Sequence, residues 1–326
     1  MNDRVLTLQK NKKTRGSAVS ERPRTAALIK KDVRKNWFPY LLVIPVLIWF
    51  IVFCYGPMWG LLIAFKDYKP LLGFSESPWV GMKHFIDFFQ GPYFWRVVKN
   101  TLLLNLWGIG FGFTAPIILA LLLNEVRNKM FKRTVQTITY MPHFISLVVV
   151  AGMIHIFTAD QGIITQALQW ITGKEYSSLL GYSYLFRPLY VFSGIWQSIG
   201  WESIIYLAAM GSIDTSLYEA ADMDGASRLR KMWHVTLPQI TPTIVILFIF
   251  AVGGLMASGY EKIILLYNPL TYDTADVIGS YVYRRGLREA SLSYSTAVGL
   301  FSAVINFGLL WMTNSIARRK SEVSLW

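Results

Sequence analysis

WFPYLLVIPVLIWFIVFCYGPMWGLLIAF, residues 37–65, contains no charged side chain. A helix crossing a bilayer core needs about 20 mostly apolar residues, so this run is long enough to cross. Further runs follow it at residues 102–123, about 135–157, about 189–210, about 240–258 and about 294–316. Only the fourth of the six contains a charge, Glu202. The whole chain of 326 residues is 16% charged, against about 25% for a typical soluble domain. The pattern predicts an all-α membrane protein with six transmembrane helices in a domain spanning residues 37–326, preceded by a basic, flexible tail over residues 1–36.

The net charge of +13 would also suit nucleic acid, so the placement of the basic residues decides. Loops retained in the cytoplasm carry the excess of Lys and Arg. An even number of spans puts both ends on one side, and that side then holds 21 of the 32 basic residues. Both termini are therefore expected in the cytoplasm of a multi-pass protein of the cell membrane, with lipid as surroundings and no nucleic acid partner. The long first run has no small-x-small cleavage site after it, which predicts a retained anchor rather than a cleaved signal. One cysteine, Cys54, excludes a disulfide scaffold.

The chemistry of hydrolysis is missing from the pattern. A phosphate-binding loop, GxxxxGK[ST], needs glycine at position 168, where Leu168 precedes Gly173 and Lys174. The four histidines, His84, His143, His155 and His234, have no metal-ligand spacing, and no GxSxG elbow occurs. The expectation is no enzyme, no catalytic residue, no metal and no cofactor on this chain, any ATP being used by a separate subunit. Ion-coupled sugar transport through Glu202 stays open as the alternative, and a membrane glycosyltransferase is disfavoured by the scarcity of acids.

Between the fourth and fifth runs, over about residues 211–239, lies SIDTSLYEAADMDGASRLRKMWHVTLPQITP, beginning at Ser212. Ser216 and Glu219 have the spacing of a capping box, Gly225 suits a left-handed turn that ends the helix, and Pro238 marks the entrance to the fifth span. The segment resembles the EAA motif of permease subunits of ABC importers: Glu219, Ala220 and Ala221, then Gly225 after three residues, then Val235, Leu237 and Pro238. Valine stands at 235 where the family has isoleucine. FWRVVKNTLLL from Phe94 and YMPHFIS from Tyr140 resemble the carbohydrate permeases, and GWESIIYLAAMGSIDTSLYEAADMDGA from Gly200 with the ending RRKSEVSLW from Arg318 resembles the branch for complex oligosaccharides, including alginate and pectin fragments. The resemblance implies a type I importer permease fold and a coupling helix that docks on a cytoplasmic ATPase. It also implies a second six-span permease, two ATPase subunits, an external sugar-binding protein and an oligosaccharide cargo.

An ionised carboxylate at membrane depth costs about 2.5–3.5 kcal/mol even on the lenient insertion scale, so Glu202 is expected to face protein or water. Ser198, Glu202 and Tyr206 share one helix face, with Gln197 and Trp201 beside them; together with Asn105 they are the candidate substrate path. Internal pairing of Glu202 to lock the helices is the competing account. Gly108 with Gly112, and Gly254 with Ser258, are expected at close helix contacts. The stretch from Thr274 to Ala290 reads as an amphipathic helix placing Arg284 and Arg288 one turn apart, either as a solvated face or as a contact for the binding protein.

Overall fold

The structure, a computed structural model, describes residues 32–257, 259–321 and 324–325. Most of the expected tail, and Ser258 of the second small-residue pair, lie outside the described residues. The chain divides into two units, residues 1–60 and 61–326.

A helical turn at 32–35 in the first unit leads into α1, Trp37–Phe65, whose last five residues belong to the second unit. Asp32 accepts hydrogen bonds from Asn36 Nδ2 at 2.8 Å and the Tyr40 hydroxyl at 2.7 Å, so helix begins inside the segment read as tail. A wide π turn at Phe50–Tyr55 precedes Pro57. A proline ring collides with the carbonyl four residues earlier, and loosening the turn there relieves the collision. The same device recurs at Gly108–Phe113 before Pro116 and at Met232–Thr236 before Pro238.

The second unit is built from α2 (Phe94–Glu125), α3 (Lys129–Phe144), α4 (Leu147–Phe157), α5 (Ser183–Gly211), α6 (Thr215–Met223), α7 (Arg228–Gly253), α8 (Tyr260–Leu266), α9 (Ile278–Tyr283) and α10 (Leu292–Ser321). No strand is present among the described residues; a lone antiparallel bridge joins Lys66 and Trp79. Four helices, α1, α2, α7 and α10, are long and apolar enough to cross a membrane, and a fifth span results if α3 and α4 are taken together. At 29 residues α5 is also long enough, but Gln197, Ser198 and Glu202 make it more polar.

The third run is not the single helix expected over 135–157. α3 and α4 meet at 101°, because Pro142 tightens the end of α3 and Ile145 and Ser146 are extended. Ser146 then restarts the helix by accepting from the Val149 amide at 3.4 Å. Pro238 likewise opens no new helix: α7 begins ten residues earlier and passes through its π turn.

At the end of the bundle nearest α6, Ala120, Tyr206, Met210 and Ile240 join α2, α5 and α7 in one buried cluster. Toward the opposite end Leu104, Val150, Val191, Ile263 and Leu266 bring α8 against α4 and α5. The tight helix contacts are not those expected. A Cβ at Gly108 or Gly112 would meet nothing within 4 Å, and one at Gly254 only its own helix's carbonyls. The close approaches are Gly200 on the Thr139 carbonyl and Gly253 on Leu310, where a Cβ would lie 2.7 Å from Cδ1.

Candidate functional site

Two features carry the candidate residues: the α6–α7 connection and a cavity between α2, α5 and α7. The connection is compactly held. Asp214, two residues ahead of the expected cap Ser216, caps α6 by accepting from the Ser216 amide at 2.9 Å; these hydrogen bonds hold the Asp214 carboxyl below the usual range. A carboxylate there also faces the positive end of the helix dipole. α6 ends in a Schellman turn, in which Ala226 N donates to Ala221 O at 2.9 Å and Gly225 N to Asp222 O at 3.0 Å. Gly225 takes φ 70°, a conformation open to glycine because it has no Cβ.

Ser227 caps the start of α7. The Lys231 ammonium reaches Asp222 at 2.7 Å, and the hydroxyls of Tyr218 and Thr236 share a hydrogen bond of 2.9 Å. These ties fold α6 back on α7 while leaving Glu219 and Ala220 exposed, together with the apolar side chains of Leu217, Met223, Leu229 and Trp233. Ala221 and Val235 line a shallow cavity beside them. Leu237 and Pro238 continue into α7, with Leu237 against the buried cluster. The seven motif positions therefore sit in one hairpin with an exposed, partly apolar face.

The larger cavity, about 540 Å³, is lined by Asn105, Gln197, Ser198, Glu202 and Tyr206, five of the six path candidates. Trp201 does not line it: its ring stacks on His143, with centroids 4.6 Å apart and planes 3° apart. Aromatic surface comes instead from Phe113 and Tyr190. Gly108 and Gly112 form part of the wall, so their missing side chains leave room in the cavity rather than bringing helices together. Glu202 makes no ion pair within 4 Å among the described residues, its nearest polar neighbours being Ser198 and His143. Gln197 Nε2 donates to Ile145 O at 3.3 Å, tying the cavity to the α3–α4 break. Asn105 Nδ2 donates to Thr101 O at 2.9 Å.

The cavity also contains Lys262, from α8, which charge counting alone would leave in a solvated loop. It is 7% exposed, and its Nζ donates to Tyr190 O at 3.0 Å. Nothing local in YEKIILL distinguishes this lysine. Its burial depends on Ile263 and Leu266 drawing α8 onto α4.

The stretch from Thr274 is not one amphipathic helix. Asp276 and Val277 are extended before α9, and Asp276 is fully buried. Arg284 pairs with Asp276 through two hydrogen bonds of 2.7 and 3.2 Å, and Arg96 reaches the same carboxylate at 3.1 Å. Burial alone would lower the Arg284 pKa, but the Asp276 carboxylate overrides it and holds the value above that of an ordinary arginine. Asn100 donates to the carbonyls of Asp273 and Asp276 and accepts from Arg187 at 2.8 Å. Arg284 thus belongs to a buried knot joining α2, α5 and the chain before α9, while Arg288 stays exposed beside the Tyr283 ring.

A helical chain with several apolar helices, a polar cavity between them and a hairpin resembling the EAA motif fits an importer permease, and the chain belongs to the family described as binding-protein-dependent transport system inner membrane component, matched over residues 112–322. It is 46% identical to Protein LplB of Bacillus subtilis (strain 168) over 301 residues, covering 92% of this chain and 93% of that protein. It is 44% identical over 310 residues to the polygalacturonan/rhamnogalacturonan transport system permease protein YteP of the same organism, covering 92% and 96%. A crystal structure of a bacterial ABC transporter involved in import of the acidic polysaccharide alginate contains a chain 43% identical to this one. That chain superposes with a TM-score of 0.83, covering 90% of this chain and 99% of the other. The fold is that of the type I importer permeases, and the chain is a transport component, not an enzyme. An ion-coupled carrier built on Glu202 is set aside by this membership.

Proposed function

We propose that this chain is one of two six-span permease subunits of an ATP-driven importer that receives an oligosaccharide or polysaccharide fragment from an external binding protein. α1, α2, the bent α3–α4 pair, α5, α7 and α10 are the six spans. At 1.5 Å per residue α5 is about 43 Å long, ample for a core of about 30 Å. Both termini and the α6–α7 hairpin face the cytoplasm, where the exposed side of α6 docks on one of two ATPase subunits. The α6–α7 hairpin carries this reading: Glu219 is exposed on a helix closed by the left-handed Gly225, with four apolar side chains left uncovered around it. The names of the relatives support a sugar cargo. So does a second solved complex, 42% identical with a TM-score of 0.83, in which the alginate transporter is bound to a pentasaccharide-loaded periplasmic protein.

Motion follows from stiffness. An ATPase closing around α6 moves it as a unit, because Lys231, Thr236 and the Schellman turn tie it to α7, and α7 forms one wall of the cavity. ATP is the energy source and binds to the partner subunits. The test is sugar uptake into vesicles containing the reconstituted complex. Uptake is expected with ATP on the hairpin side, no ion gradient, and loaded binding protein on the other side. Uptake by this chain alone on a proton or sodium gradient would overturn the reading.

A further inference from the structure

We propose that Lys262 reads anionic charge in the cavity, contacting a sugar carboxylate as the cargo passes, so that the permease selects acidic over neutral units. The proposal rests on the cavity being the sugar path and adds a charge preference that the path alone does not imply. An ammonium buried to 7% exposure is costly unless it is paired. No carboxylate lies within 4 Å of Lys262 Nζ among the described residues, although Glu202 lines the same cavity. One of its three N–H groups is given to the Tyr190 carbonyl. The ring of Tyr190 lies 4.9 Å from Nζ, and the cation–π contact compensates only part of the lost hydration.

Access to the ammonium depends on Gly194. A Cβ at that position would lie 3.5 Å from Nζ, so any larger side chain would stand beside the charge. Gly108 and Gly112 also line the cavity, with open space where a Cβ would be. Asn105, Ser198 and Glu202 supply the hydrogen-bonding groups that hydroxyls need. A carboxylate arriving here would give the cation its missing partner. A neutral unit offers only hydroxyl or ester oxygens, which accept from the ammonium more weakly than a carboxylate does and leave its charge uncompensated.

The experiment measures equilibrium binding of trigalacturonate and of its trimethyl ester to the purified complex in lipid nanodiscs, without binding protein. The wild type is expected to favour the acid by about tenfold or more, the size of one charge-assisted hydrogen bond. Lys262→Gln should reduce the preference to about twofold or less while leaving the ester's affinity unchanged, and Lys262→Arg should retain it. Gly194→Asp supplies an internal counter-ion beside an intact Lys262 and should also abolish the preference, so the proposal stays testable if the Gln variant fails to assemble. A wild type without preference, including one that binds neither sugar, overturns the proposal. Retention of the preference in an assembled Lys262→Gln or Gly194→Asp complex, or equal loss of both ligands, overturns it as well. ATP-driven uptake by the wild type is scored separately and decides the transport reading on its own.

Discussion

Gly225 is the residue on which the geometry of the hairpin turns. At φ 70° a Cβ costs about 1 kcal/mol or more, and a β-branched side chain worsens it. Gly225→Val is expected to insert in the membrane normally but to re-aim α6, lowering ATPase co-purification and uptake together; normal values of both would remove the hairpin from coupling. Glu202 tests the cavity in the same way. Because no ion pair within 4 Å is lost among the described residues, Glu202→Gln should leave assembly intact and change uptake per assembled complex across a panel of sugars. A profile identical to wild type would take Glu202 out of the path.

At the scale of elements, the glycines separate packing from path. Gly200 brings α5 against the backbone of α3, where a Cβ would collide with the Thr139 carbonyl and approach the Tyr140 ring to 2.8 Å. A backbone cannot step aside as a side chain can, so Gly200→Ala should cost about 1–3 kcal/mol and lower the yield of assembled complex. Gly112 faces open cavity. Gly112→Leu should therefore assemble with a melting temperature near wild type and yet slow uptake by narrowing the path. The reverse pattern, with Gly112→Leu unfolding and Gly200→Ala harmless, would contradict the helix arrangement. Most helices were legible in sequence because hydrophobic runs are local, but Pro238 did not mark a helix start. The α3–α4 bend was not read from the sequence, which gave one run over about 135–157; the 101° turn needs Pro142 to end one helix and Ser146 to restart the next.

Across the whole molecule the buried Asp276 holds distant segments together, accepting from Arg96 on α2, Arg284 after α9 and Ser280 within α9. Removing one member of a buried ion pair strands the others and costs about 3–5 kcal/mol. Asp276→Ala leaves Arg284 without its carboxylate and Arg96 with only the exposed Asp273, 3.9 Å away, and should lower the thermal stability of the purified complex markedly. An unchanged melting curve would mean that the knot adds nothing. The second charge feature of the interior, Lys262, has no carboxylate within 4 Å among the described residues, in contrast to Arg284.

From sequence alone came the membrane class, the approximate position of the apolar runs and the seven positions that resemble the EAA motif. The apolar runs are set by transfer free energy per residue and the turn at Gly225 by local conformation, whereas the motif positions rest on resemblance to a known family. Tertiary structure alone decided which polar residues share a cavity, that Trp201 turns aside onto His143, that Gly108 and Gly112 make room instead of contact, that Arg284 is tied up by Asp276, and that Lys262 is buried at all. Those outcomes depend on segments far apart in the chain being brought together by packing, as when Ile263 and Leu266 dock α8 beside α5. A sequence pattern reports which side chains a helix presents, but not what stands opposite them.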